Sequence, residues 1–437
     1  MISVPQADRL LRWLLRSPSA RRQADRLYRW YGRYQEGIQS QLATVIPEVM
    51  PLPCRPGPGG GDRLNLLIPS VAECHAYGGI ATALRLFQHF APYYPRRRIL
   101  VTDARVEENE IVAAYRDWRC LVHGEIDGAE ADEVIVGCAD RRWSIEVDAT
   151  DHFLATAWWT ARLALDLVRW QERQYGLVRR FAYLIQDYEP GFYPWSTRHA
   201  LAEASYRHPE RTIAIFNTRL LYDYFCLHGY RFERSHVFEP RIHPELHRRL
   251  PPPSAPIPKR KRILVYGRPG VERNLFLLLI AALKLWAKAY RDAGAWEVVS
   301  AGEPHGKIDL GNGIWLVPLG KLTLDHYAAL LSECAIGLSM MLSPHPSYPP
   351  LEMAAFGVRV LTNRFANKDL STYHAYIHSV DPPEPERIAE RLGELCAQFE
   401  ASEGCSTPAP FHGIDFIAEE EGFDFLPQLK ADVRVQD

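Results

Sequence analysis

The sequence predicts an α/β protein made of two successive doubly wound domains preceded by a helical extension. Short apolar runs that end at polar or loop residues alternate with helix-like windows, which is the signature of a parallel sheet with helices on both faces. The alternation stops once, at a proline-dense tract, and then restarts. The length of 437 residues also exceeds what one core of usual size serves.

Residues 1–50 form the extension, with helical periodicity broken at Ser17-Pro18 and aromatic residues at Trp13, Tyr28, Trp30, Tyr31 and Tyr34. Eight arginines against three acids over residues 1–40 give it a local charge of +5. A Pro/Gly-rich bridge runs from Pro51 to Gly61. The first domain, 62–245, carries strand-like runs at Leu64–Pro69, Arg98–Thr102, Phe181–Gln186 and Thr212–Asn217, with helical patterns at Ile80–Phe90 and Trp158–Tyr175. Proline at the density of 250–259 continues neither a helix nor a central strand, so that tract reads as a hinge-like linker. The second domain, 260–400, has strands at Arg262–Gly267, Trp296–Ala301, Ile314–Pro318, Ala335–Met341 and Val358–Thr362. Its helices fall at Leu275–Arg291, Thr323–Glu333 and Glu386–Phe399. The tail, 401–437, holds the acidic run Glu419–Glu421 and one short helical window.

Composition excludes several function classes. A net charge of −2 gives no general case for nucleic acid as a partner. No window approaches the roughly 20 uninterrupted apolar residues that span a bilayer, and arginines interrupt the N-terminal apolar stretch, unlike a signal peptide. The eight cysteines are scattered without a Cys-x-x-Cys pair and read as free thiols of a reducing cytoplasm. The sixteen histidines form no ligand motif, and no Asp-x-Asp is present, so neither a metal nor a cofactor is expected. Gly-x-Gly-x-x-Gly and Gly-x-x-x-x-Gly-Lys-Ser/Thr are also missing, which disfavours nicotinamide dinucleotides and NTPase chemistry.

In doubly wound sheets ligands gather outside the carboxyl ends of the strands, and four stretches at such ends carry chemistry. The first is Ser343–Asn363. Pro349 and Pro350 pre-set the backbone at a helix start, and Gly357 stops that helix after about two turns. Glu352 then falls in the first turn, beside N–H groups with no partner in the helix, a terminus that attracts an anion. Its ionised carboxylate only accepts and suits a diol; diphosphate plus diol is what a nucleotide-sugar presents. The same Pro-Leu-Glu also serves as an ordinary helix cap. In the second stretch, Tyr266–Asn274, Arg268 and Arg273 offer permanently charged, forked donors matched to phosphate oxygens. In the third, Gly78 and Gly79 let the backbone approach a ligand at a helix start. The fourth, Gln186–Trp195, combines Asp187 and Glu189 with Tyr188, Phe192, Tyr193 and Trp195. Carboxylates accept sugar hydroxyls or take a proton, and aromatic faces suit the C–H side of a pyranose; the loop also reads as a lid packed on the core by its aromatics.

Together these features resemble the two-domain glycosyltransferases of family 4, whose GT-B architecture sets two Rossmann-like domains face to face across a cleft. The family carries two glutamates eight positions apart, the second in Pro-Leu-Glu-Ala-Met-Ala-x-Gly, and Pro350-Leu-Glu-Met-Ala-Ala-Phe-Gly357 matches that second half. The resemblance assigns Glu352 to the nucleotide ribose, Arg268 and Arg273 to the diphosphate, and Lys321-Leu322 to the nucleobase. The first glutamate is replaced by Pro344, which removes a group that usually contacts the donor sugar. Ser343-Pro-His-Pro-Ser-Tyr-Pro-Pro-Leu-Glu-Met-Ala and Gln186-Asp-Tyr-Glu-Pro-Gly-Phe-Tyr-Pro look like a narrower branch, the dTDP-L-rhamnose-dependent rhamnosyltransferases of S-layer glycan and rhamnan synthesis.

The function so implied is transfer of a sugar from a nucleoside diphosphate donor, dTDP-L-rhamnose favoured, to a hydroxyl of a growing surface glycan, without metal and with retention. The donor set is Gly78, Gly79, Arg268, Arg273, Lys321, Leu322, His345, Ser347, Tyr348 and Glu352. The acceptor set is Asp187, Tyr188, Glu189, Tyr193 and Trp195. Catalysis falls to Arg268 and Arg273, which stabilise charge on the leaving diphosphate, with either that phosphate or Asp187 as base. Two other readings stand beside this one: a non-catalytic sugar-nucleotide or glycan-binding module, and a nucleotide-sugar epimerase. The expected location is cytoplasmic. Residues 1–50 read either as docking peripherally on an anionic membrane that carries a lipid-linked acceptor or as packing on the body.

Overall fold

The computed structural model describes residues 45–121, 132–252, 256–402, 404–407, 409–419 and 422–434. The chain divides into two units, Met1–Pro51 and Leu52–Asp437. Of the first, the helices expected before residue 45 lie outside the described residues, and the described part is a single turn of 3₁₀ helix at Pro47–Val49. The second unit holds two lobes.

The N lobe is built on strands β1 (Arg63–Ile68), β2 (Arg96–Val101), β3 (Arg119–Leu121), β4 (Glu133–Gly137), β5 (Asp151–Ala155), β6 (Phe181–Ile185), β7 (Thr212–Phe216) and β8 (Arg234–Val237). They form one parallel sheet in the order β8-β7-β6-β5-β1-β2-β4-β3. Helices α1 (Gly79–Phe90), α2 (Trp158–Tyr175), α3 (Thr197–Ala204), α4 (Arg219–Leu227) and α5 (Pro244–His247) follow in the same half of the chain. Strands β1, β5, β6 and β7 are buried along their whole length, as expected of a sheet covered on both faces.

The C lobe repeats the plan with β9 (Arg260–Gly267), β10 (Glu297–Gly302), β11 (Ile308–Gly311), β12 (Ile314–Gly320), β13 (Cys334–Leu338), β14 (Arg359–Asn363) and β15 (Ile377–Val380). Their order is β11-β12-β10-β9-β13-β14-β15, parallel except for the β11–β12 edge hairpin. Helices α6 (Phe276–Ala289), α7 (Leu324–Glu333), α8 (Tyr348–Ala355) and α9 (Pro385–Ala401) belong to this lobe, and α6 packs on α9. The final helix, α10 (Leu426–Arg434), crosses back: Phe423, Leu426, Leu429 and Val433 join the N-lobe core with Leu64 and Phe87. Asp432 fixes it there through His236 Nε2 at 2.9 Å and Arg234 Nη1 at 3.2 Å.

The strand the sequence hid best is β5, central between β1 and β6. It opens on the polar pair Asp151 and His152 and is missing from the apolar runs picked out by sequence, yet Asp151 is fully buried under Arg63, with Nε and Nη2 donating at 2.6 and 2.8 Å. The proline tract before the C lobe is also pinned at its end. Ile257–Pro258 pair antiparallel with Cys405–Ser406, and the buried Lys259 ammonium donates to the Leu331 and Phe356 carbonyls at 2.8 and 2.7 Å. All eight cysteines are unpaired. Among the described residues no helix is long and apolar enough to cross a membrane.

Candidate functional site

Parallel strands put all their exits on one edge. In the C lobe, Arg268 and Arg273 follow β9, Lys321 follows β12, Ser343–Tyr348 follow β13 and Lys368 follows β14. In the N lobe, Gly78 and Gly79 follow β1, and Gln186–Trp195 follow β6. Side chains from the two edges touch. Arg273 Nη1 donates to Asp187 Oδ2 at 2.6 Å, and its guanidinium lies 4.0 Å over the Phe192 ring. Lys321 Nζ sits 3.6 Å over the Tyr77 ring and 3.4 Å from the Cys74 carbonyl. The carboxyl edges of the two sheets therefore face each other.

Asp187 is the hub of this junction. Its carboxylate accepts from Arg273, from Ser343 Oγ and from the Tyr188 N–H at 2.8 Å. Expected as a base or acceptor ligand, it is buried and bonded across the cleft, with three donors already on it. Arg268 is paired as well, with Nε on Glu303 Oε1 at 3.2 Å, while Glu303 Oε2 accepts from the Gly270 N–H at 2.7 Å.

Helix α8 starts earlier than expected. Ser347 is its cap with φ +69°, so the helix opens at Tyr348 and Glu352 falls in the second turn rather than the first. A serine at that φ costs ~1–3 kcal/mol; its N–H is held by His345 Nδ1 at 3.0 Å. Because Nδ1 accepts, the proton of the neutral ring is assigned to Nε2. Burial lowers the His345 pKa to about 4, so the ring stays neutral, and Nε2 is enclosed without a hydrogen-bond partner. Glu352 is half-buried, and desolvation pushes its carboxyl up to about 7 despite the Tyr327 hydroxyl beside it. That hydroxyl makes no hydrogen bond within normal reach. Tyr266 lies within electrostatic range of both Arg268 and Glu352.

The acceptor set separates. Glu189 turns into the N lobe, where Oε2 accepts from the Trp158 N–H that opens α2 and from Tyr183 Oη at 3.1 Å. Burial raises its pKa to about 8. The chain enters a 3₁₀ turn after Tyr188, which rotates Glu189 away from the cleft. Tyr188 packs among Tyr206, Tyr224 and Tyr230, with its hydroxyl 3.1 Å from Tyr230 Oη. Tyr193 takes the Trp158 indole N–H at 3.0 Å. Trp195 is 93% exposed and lies against His199. Gly78 adopts φ +51° at the cap of α1, and a Cβ on Gly79 would come within 3.2 Å of the Gln186 amide, so glycine lets α1 start against the Asp187 loop. Lys321 is exposed, and Leu322 packs on the C-lobe core.

Ser343 and Lys368 lie outside the sequence-derived set. Lys368 is buried, donates to the Met341 carbonyl at 2.7 Å, and has its pKa lowered to about 7 by burial, with Asp187 and Arg273 in electrostatic range. It is the first lysine after the carboxyl end of β14, the place where the strand-end rule looks. Among the described residues no group of three His, Cys, Asp or Glu is placed to hold a metal ion.

Residues 63–219 match the family model for the WsaF N-terminal domain, and residues 261–393 match that for the WsaF C-terminal domain. The two matches fall one in each lobe. Over 247 residues, 56% of the chain, it is 38% identical to the O-antigen biosynthesis protein RfbC of Myxococcus xanthus. The match takes in 18% of that relative, so the chain spans only a small part of its length. Among solved structures, HepE of Anabaena in complex with UDP-glucose superposes with a TM-score of 0.50 at 11% identity, covering 78% of this chain and 91% of that one. The α,α-trehalose 6-phosphate synthase of Burkholderia multivorans gives 0.53 at 11% identity, covering 85% and 96%. The fold is accordingly GT-B: two Rossmann-like domains facing each other across a cleft.

Proposed function

We propose that this chain is a glycosyltransferase that moves a sugar from a nucleoside diphosphate donor to a hydroxyl of a growing bacterial surface glycan. The observation that carries the reading is the convergence of Arg268, Arg273 and the start of α8 on the carboxyl edge of the C-lobe sheet, opposite that of the N lobe. The WsaF domain matches and the O-antigen relative support the glycan setting. The choice of dTDP-L-rhamnose rests on the two local sequence stretches that resemble rhamnosyltransferases. The HepE structure holds UDP-glucose, a ligand of the same class.

In this reading the C lobe, 260–400, takes the donor and the N lobe, 62–245, the acceptor. Glu352 receives the ribose diol, and Lys321-Leu322 border the base. Gly78 and Gly79 allow close approach from the opposite lobe, and Ser347, Tyr348 and His345 line the phosphate side. Arg268 and Arg273 stabilise charge on the departing diphosphate in place of a metal. Tyr193 and exposed Trp195 offer faces for an acceptor sugar. Retention follows if the leaving phosphate takes the acceptor proton. Residues 1–50, by sequence charge, dock on anionic lipid.

Turnover of dTDP-L-rhamnose with a glycan acceptor, with and without EDTA, tests the reading. Acceptor-dependent, EDTA-insensitive release of dTDP supports it. Conversion of donor without acceptor means an epimerase, and nucleotide binding without turnover means a non-catalytic module.

A further inference from the structure

The groups that surround Asp187 make an anion site. Two side-chain donors reach it from the C lobe, Arg273 Nη1 at 2.6 Å and Ser343 Oγ. The buried Lys368 ammonium is in electrostatic range of Asp187 and Arg273, and its described hydrogen bond goes to a carbonyl, not to a carboxylate. The neutral His345 ring, 6% exposed and in range of the same three charges, carries the Nε2 that finds no acceptor. A second carboxyl in electrostatic range, Glu189, is held by Trp158 and Tyr183 and is kept largely neutral at pH 7 by burial. Arg273, a lysine whose charge is about half expressed at pH 7, and a spare N–H donor therefore surround one carboxylate. A phosphate, with more charge and more acceptor oxygens, satisfies such a set better than a carboxylate does.

We infer that Asp187 is an internal plug: its carboxylate occupies an anion subsite formed by Arg273, Ser343, His345 and Lys368 on the opposite lobe, latches the lobes together, and must leave before a diphosphate binds. The identity of that anion as the donor's diphosphate rests on the function proposed above; the latch does not. The plug explains why Asp187 is bonded across the cleft and not toward a substrate position. It also turns Ser343 and Lys368 into phosphate ligands of the donor-bound state.

The inference makes a prediction of sign. Removing a competitor both raises the affinity for a bare diphosphate and loosens the cleft, whereas removing a base or acceptor ligand that acts only through its negative field can do the first but not the second. Calorimetric titration of the full chain with pyrophosphate, dTDP and UDP compares wild type with Asp187→Asn and with the smaller Asp187→Ser, each first checked for cooperative thermal unfolding. The expected result is pyrophosphate binding roughly tenfold tighter or more in both variants, the factor attached to one ionic hydrogen bond, and loss of that gain when Arg273→Ala is added. Amide hydrogen exchange of the free variants should speed up in 341–347 and 187–192 and slow again when pyrophosphate is added. Equal or weaker pyrophosphate affinity, or no binding to any form, overturns the inference. Tighter binding with unchanged exchange also overturns the latch, because a field effect alone then accounts for it. Tighter pyrophosphate binding without any nucleotide binding keeps the plug and refutes the nucleotide-sugar reading.

Discussion

Glu352 carries a carboxyl raised from an ordinary 4.5 to about 7, because burial outweighs the help of Tyr327. A carboxyl whose folded pKa is raised costs nothing while it is protonated in both states. The cost grows as pH climbs from 4.5 to 7 and is complete above 7. That gap corresponds to ~3 kcal/mol. Part of the side chain still meets solvent, so about 2 kcal/mol is the expected penalty after screening. Glu352→Gln should therefore raise the urea-unfolding free energy by about 2 kcal/mol at pH 8, with an unchanged slope, and by much less at pH 5. The same variant should bind nucleoside diphosphate at least tenfold more weakly, since a neutral amide forfeits the ionic hydrogen bond to a ribose diol. Equal stabilisation at both pH values would show that packing, not charge, is responsible. A loss of stability at pH 8 would refute the desolvation argument, and unchanged nucleotide affinity would refute the ribose role.

Arg268→Ala should weaken dTDP binding by roughly tenfold to a hundredfold in calorimetry, the worth of one ionic hydrogen bond to phosphate. Glu189→Ala should cost ~1–3 kcal/mol in thermal or chemical unfolding, because the buried Trp158 N–H and Tyr183 hydroxyl lose their acceptor; Glu189→Gln should largely restore it. Trp195→Ala should leave stability within ~0.5 kcal/mol and raise KM for the glycan acceptor, with KM for the donor unchanged. Deleting residues 1–50 should abolish co-sedimentation with anionic liposomes; equal binding by the shortened chain would dismiss the lipid-docking reading.

The two-lobe fold was legible because fully buried parallel strands announce themselves as apolar runs, as Phe181–Ile185 and Thr212–Phe216 do. Helices with one apolar stripe were equally plain, and Trp158–Tyr175 appears with the expected limits. What stayed hidden shares one cause: polar residues whose partners are distant in sequence. Asp151 hid strand β5 because its ion pair with Arg63 joins residues 88 apart. Lys368 hid in a loop because its burial depends on the β14 exit packing against Met341. Glu189 was expected to meet an acceptor sugar because nothing local shows that the Trp158 N–H, 31 residues upstream, waits for it.

The same cause explains the loop around Pro344. By resemblance this position holds a carboxylate that accepts hydrogen bonds near the donor sugar, and here a proline stands instead. Its neighbours are both arranged as donors: Ser343 through its hydroxyl, and His345 through the Nε2 proton that the Ser347 N–H imposes on the ring. A donor-rich loop beside Arg273 and the partly charged Lys368 has no anion of its own and needs one supplied from elsewhere. Asp187 supplies it, from 156 residues away along the chain and from the opposite lobe. A carboxylate built into the loop would sit there through every step of a reaction, whereas one brought across the cleft can be withdrawn. A carboxylate carried on the opposite lobe is thus the removable kind, and Pro344→Glu should weaken diphosphate binding by placing a fixed negative charge beside Asp187's pocket.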